Sequence, residues 1–156
     1  MSRRFRLENL YSAPPDRVLA LLWDPAVQDA LTRRQGALAC AATLEDGAET
    51  AVLTLVEERE AMWGKEPDKS TMRVSFSKAT RTATWERRLH GMEAWVHMRG
   101  TIAVEARGDG AAEIIEGEIA VEVPVLGRLI EKKVVREVEK AFAIAAAHYA
   151  EALARQ

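Results

Sequence analysis

Arg87, Asn9, Tyr11 and His148 are the side chains of this sequence that stand where they could do chemistry inside a fold. In TATWERRLHG (82–91), turning Trp85 and Leu89 to one side turns Arg87 there too. An inward arginine presents a planar fork to a carboxylate, phosphate or enolate oxygen on an otherwise apolar ligand. A solvated Arg87 is the competing arrangement, and a slip of one residue would exchange it for Arg88. Asn9 and Tyr11 share one parity of the first strand and supply further polar anchors, unless the tyrosine hydroxyl is bonded to backbone. His148 stands at the edge of a helical stripe, either a satisfied surface histidine or, facing inward, a general base. None of His90, His97 and His148 has metal-ligand spacing to another histidine, a cysteine or a carboxylate pair, so neither a metal site nor a cofactor is expected. Cys40 alternates with Leu38, Ala42 and Leu44 and reads as a small packing residue. Serine elbow, dinucleotide fingerprint and phosphate loop are all missing at the motif level.

Any such site must be positioned by one domain, residues 1–156, because the chain is long enough for a single core and short for two. Twenty-two basic residues against 24 acidic ones leave no field to draw in nucleic acid or an anionic membrane. VLALLW (18–23) is closed at once by Asp24 and Pro25, so no stable membrane insertion is expected. Arg3 and Arg4 are followed by charged residues and prolines rather than an apolar export segment. With one cysteine no internal disulfide can form, and a cytoplasmic location is the expectation.

Phe5, Leu7, Asn9 and Tyr11 alternate with Arg4, Arg6 and Glu8 and predict a first strand. Ser12 is the expected N-cap of a short helix over Asp16–Trp23, and Asp24-Pro25 opens a second over Ala26–Arg34 that stops at Gly36. Six alternating segments follow, with hairpin turns at Glu45-Asp46-Gly47 and at Arg107 to Gly110. Met62 and Trp63 are the apolar residues of a loop that either gates a rim or tucks over a hairpin end. Beyond Pro124 the period changes to about 3.6. Leu126, Ile130, Val134, Val138, Ala141, Phe142, Ala145, Tyr149 and Ala152 mark the buried stripe of a helix of about 30 residues, with EKKVVREVEK (131–140) as its solvated side.

Strand parity puts Val96, Met98, Gly100, Ile102 and Val104 on the inward face of one strand and Ile115, Gly117, Ile119, Val121 and Val123 on that of the next. Gly100 and Gly117 either mark bulges or leave room for something to approach the backbone. The order strand, two short helices, six strands, long helix, and above all the joint IAVEVPVLGRLIEKKVVREVEKAF (119–142), resembles the helix-grip fold of the START-like superfamily, which includes birch-pollen-allergen-like proteins and polyketide cyclases. The joint looks like that of an uncharacterised bacterial subfamily. The resemblance implies an α+β fold in which a curved antiparallel sheet of about seven strands grips the C-terminal helix, with a ligand cavity between them.

The first functional expectation is therefore binding or carriage of a hydrophobic small molecule, lipid- or polyketide-like. Its cavity would be lined by Phe76, Trp85, Met98, Ile102, Val121, Val138, Phe142 and Tyr149, with Arg87 or Tyr11 as polar anchor. An enzyme resembling polyketide cyclases is the second, with Arg87, Tyr11 or His148 moving protons or steadying an enolate. An interaction module resembling the START-related cochaperones of an ATPase is the third, favoured by a filled interior and a large exposed apolar patch.

Overall fold

Proline and aspartate set where the first two helices begin. In the structure, a computed structural model that describes residues 2–61 and 64–155, strand β1 (Ser2–Tyr11) runs into helix α1 (Pro15–Leu22), which starts from an extended Pro14. Ser12 is not its cap: it lies too early, and the first turn closes on the Pro14 carbonyl, which accepts from the Arg17 and Val18 amides at 3.1 and 3.3 Å. Helix α2 (Pro25–Arg34) is capped as its sequence predicts, the Asp24 carboxylate accepting from the Ala26 amide at 2.9 Å. It ends with paired bonds from Gly36 N to Arg33 O and from Ala37 N to Thr32 O.

Strands β2 (Ala39–Asp46), β3 (Thr50–Arg59), β4 (Asp68–Ser77), β5 (Thr82–Leu89), β6 (Val96–Arg107) and β7 (Gly110–Val121) follow, then helix α3 (Gly127–Ala154). The seven strands form one antiparallel sheet in the order β1-β7-β6-β5-β4-β3-β2, so every sequential pair from β2 to β7 is a spatial pair and β1 closes the edge beside β7. The loop residues Met62 and Trp63 lie outside the described residues.

One row across the sheet explains its curvature. Register aligns Leu53, Val74, Trp85, Gly100, Gly117 and Phe5 on neighbouring strands. A Cβ at Gly117 would come within 2.4 Å of the Phe5 ring and 2.6 Å of the Trp85 ring, and one at Gly100 would lie 1.9 Å from the Glu116 carbonyl oxygen. The glycines admit the protein's own backbone and aromatic rings: Phe5 and Trp85 meet at 6.2 Å between centroids over Gly117.

Helix α3 lies against β1 and β7 with α1 and α2 along its C-terminal half. Side-chain donors hold that half from both sides, Asn9 Nδ2 to the Phe142 carbonyl at 3.0 Å and Gln35 Nε2 to the Ala141 carbonyl at 2.8 Å. Arg34 adds a two-pronged ion pair to Glu151. In the N-terminal half the expected stripe holds for Ile130, Val134 and Val138, which pack half-buried against the core, and the buried face extends beyond it. Gly127, Glu131 and Val135 are buried as well, whereas Leu126, the first residue of the expected stripe, is 52 % exposed. Glu131 is held there by a polar contact that hydrophobic periodicity does not register: its carboxylate accepts from the Val121 amide at 2.9 Å, at the end of β7. Thus Glu131 and Val135 leave the solvated side assigned to EKKVVREVEK. At the joint itself Val125 has φ +70° and is 97 % exposed, the two marks of a sharp reversal held by its surroundings.

Candidate functional site

The inner face of the sheet, α2 and the middle of α3 line a cavity of about 170 Å³ that is partly open to solvent. Phe76 on β4, Trp85 and Arg87 on β5, and Met98 and Ile102 on β6 form its floor. Val138, Phe142 and Tyr149 of α3 cover it, with Ala141 and Ala145 beside them. Small residues on the helix therefore leave space here rather than drawing the helix onto the sheet. Tyr11 and Val121 do not line it. The Tyr11 hydroxyl is turned to a neighbouring carboxylate, and Val121 sits at the far end of β7 where its amide meets Glu131. A wall from α2, including Leu31, Thr32 and Gln35, was not anticipated from sequence.

Only two charged residues line the cavity among the described residues, Arg87 and Glu113. Their electrostatic situations are opposite. The Arg87 guanidinium points inward but is already engaged, donating to the Glu57 carboxylate, to Ser70 Oγ at 3.1 Å and to Met72 Sδ at 3.2 Å. Glu57 is 2 % exposed and also takes Arg59 Nη2 at 3.1 Å and Ser70 Oγ at 3.3 Å. Burial by itself would raise its carboxyl, but the guanidiniums of Arg87 and Arg59 outweigh burial and hold it below the usual range. Arg87 is a compensated cation, and an anionic ligand would have to compete with Glu57 for it.

Glu113 has no such partner. It is 4 % exposed, and its Oε1 accepts the Tyr11 hydroxyl at 3.0 Å. Burial pushes its carboxyl up to about 7, with the hydrogen bonds from Tyr11 and Asn9 pulling the other way and no cation contributing. Burial and the nearby Glu113 charge raise both the Tyr11 and Tyr149 phenols well above their ordinary value, so these hydroxyls stay protonated. Gln28 Nε2 donates to the Tyr149 hydroxyl at 2.7 Å and to the Leu21 carbonyl at 3.0 Å, fixing the α2 side of the group.

Sequence reasoning missed both carboxylates although parity marks them. The inward set of β7 that starts at Ile115 reaches Glu113 one step earlier, and Ala51, Leu53 and Leu55 on β3 are followed in phase by Glu57. His148 is buried, its ring nitrogen 3.2 Å from the Val27 carbonyl, so it faces α2 and not the cavity. Cys40 is half-buried on β2 with its thiol pushed up by burial, outside the cavity lining. Asn9 serves α3 and Glu113 rather than the open space.

A curved seven-stranded antiparallel sheet wrapped on a long C-terminal helix, with the cavity between them, is the helix-grip fold. Within it the chain belongs to a family described as protein of unknown function (DUF2505), matched over residues 7–153. No curated protein matches the sequence. Among solved structures it is similar to TTHA0849 from Thermus thermophilus, with a TM-score of 0.72 at 15 % identity over 96 % of this chain and 95 % of that one. It is similar to the Zhui aromatase/cyclase of a Streptomyces species, R1128, with a TM-score of 0.67 at 15 % identity over 99 % and 95 % of the two chains. It is also similar to norcoclaurine synthase of Thalictrum flavum in complex with dopamine and hydroxybenzaldehyde, with a TM-score of 0.65 at 13 % identity over 100 % and 88 %. At these identities the likeness is one of fold.

Proposed function

We propose that this protein binds one small hydrophobic molecule, about the size of a single substituted ring, in the cavity beneath α3. The observation that carries the reading is the cavity's volume together with its lining. About 170 Å³ is close to the engineered apolar cavity of about 150 Å³ that takes up benzene, and well short of the roughly 300–1,000 Å³ of drug-sized sites. A lipid or polyketide chain, as the sequence suggests, would require α3 to lift. Norcoclaurine synthase, with the same fold, is held with dopamine and hydroxybenzaldehyde, two single-ring molecules. Burying about 200 Å² of ring surface contributes about 5 kcal/mol before ordering costs, which sets about 0.2 mM as the tightest dissociation constant expected from burial alone.

Glu113 favours a second reading, an enzyme resembling the aromatase/cyclase, because a cavity carboxyl that titrates near neutrality suits proton transfer. The open interior weighs against an interaction module. The test is native mass spectrometry for a copurified compound, followed by thermal unfolding with millimolar toluene, benzyl alcohol, a fatty acid and a sterol. Stabilisation by the single-ring compounds and not by the large ones is expected. Stabilisation by none of them would defeat the reading.

A further inference from the structure

The charges facing the cavity do not balance, and the imbalance has a sign. Of the two charged lining residues, Arg87 is neutralised by Glu57, while Glu113 meets only neutral donors. The groups that meet Glu113 are uncharged: Tyr11 and Asn9 from β1, Tyr149 from α3, beside Gln28 of α2, and Val104 opposite it on β6, while α1, which packs on β6 and β7, buries only Val18, Leu19, Leu21 and Leu22. The cation of the lining, Arg87, is already paired, and the second cation of its cluster, Arg59, lies toward solvent with 36 % of its side chain exposed. A buried carboxylate without a counter-charge is costly, and the fold already bears that desolvation. A ligand that brings a positive group therefore has to desolvate only itself, and gains an attraction less screened than in bulk water.

We infer that the ligand of this cavity is a small apolar ammonium ion, its hydrocarbon body among Phe76, Trp85, Met98 and Ile102 and its ammonium donating to the Glu113 carboxylate. The inference rests on the binding reading above and deepens it. Tyr11 keeps one carboxylate oxygen engaged at 3.0 Å, and Tyr149, held by Gln28, stands beside it. A neutral ring of the same size fills the same space but leaves the charge of Glu113 uncompensated. An anionic ring is excluded twice, by Glu113 and by the prior claim of Glu57 on Arg87.

Affinity for such a ligand follows the ionisation of Glu113. An alkylammonium stays protonated up to about pH 10, so of the two partners of this ion pair the carboxylate is the one that changes state between about pH 5 and 8. Binding should weaken about tenfold for each pH unit that pH falls below neutrality and level off above it, about 100-fold in all between about pH 5 and 8. Toluene should bind with little pH dependence. The experiment is titration of the intact protein with benzylamine, benzyl alcohol and toluene, which share one ring, at pH 5, 6, 7 and 8, followed by ligand-observed NMR and Trp fluorescence. Expected is at least tenfold tighter binding of benzylamine than of toluene at pH 8, lost in Glu113→Gln while toluene still binds. Benzyl alcohol or toluene binding as tightly as benzylamine at pH 8, or a flat pH profile for benzylamine, overturns the inference and leaves the ring-binding cavity intact. If no ring binds, the cavity reading fails and this one with it. The wild-type pH series decides the matter even if the variant is poorly behaved.

Discussion

Replacing Glu113 by glutamine should make the protein more stable, by an amount that depends on pH. The substitution keeps the shape and an oxygen to accept the Tyr11 hydroxyl at 3.0 Å, and removes only the ionisation. Burial lifts this carboxyl from 4.5 to about 7. At about 1.4 kcal/mol per pH unit, that rise corresponds to a folding cost of about 3 kcal/mol once the group is ionised. A carboxyl that holds its proton more tightly when folded adds stability in full below its unfolded value. That contribution is lost as pH rises through the folded value. The wild type should therefore equal Glu113→Gln near pH 4.5, fall behind it steadily up to pH 7, and trail by about 3 kcal/mol at pH 8. Glu57 titrates in the opposite sense, its carboxyl lowered by Arg87 and Arg59 so that its stabilisation fades on acidification, but both proteins carry it and it cancels in the difference. Urea unfolding followed by Trp fluorescence at pH 4.5, 6, 7 and 8 measures the difference directly. A gap that stays within about 0.5 kcal/mol across that range would refute the account of Glu113 as a buried, uncompensated carboxyl.

Arg87→Met should destabilise by about 3 kcal/mol at pH 7, since it leaves the buried Glu57 with Arg59 as its one cation, and the loss should shrink on acidification, as urea unfolding at pH 7 and pH 4.5 would show. Gly117→Ala places a methyl 2.4 Å from the Phe5 ring and should cost about 2 kcal/mol, with a changed near-ultraviolet signal from Trp85. Ala145→Leu points a larger side chain into the cavity; thermal unfolding should show a gain of about 1 kcal/mol, and ligand-observed NMR should show that toluene no longer binds.

The inward face of β5 was legible because Trp85 and Leu89 are large apolar markers on one parity, and they carry Arg87 between them. On β3 and β7 the same alternation points at Glu57 and Glu113, but residue type argues against reading a carboxylate as interior unless its partners are known. Those partners are remote in sequence: Arg87 is 30 residues from Glu57, and Tyr11 is 102 from Glu113. The stripe of α3 was legible from Ile130 to Tyr149 and wrong at its first member, the exposed Leu126, while the burial of Glu131 against the end of β7 rests on a polar bond that apolar periodicity does not register.

The order and kind of the elements, their turns, the parity of the strands and hence the helix-grip architecture are all written in the amino-acid sequence, because periodicity, capping and turn chemistry act over a few residues. It took the folded chain to establish that α2 forms a wall, that Tyr11 and Val121 stand aside from the cavity, and that one carboxylate is paired while the other is left alone. A cavity is the space remaining when several elements have closed around it. The ionisation of a buried group is set by what those elements bring within a few ångströms.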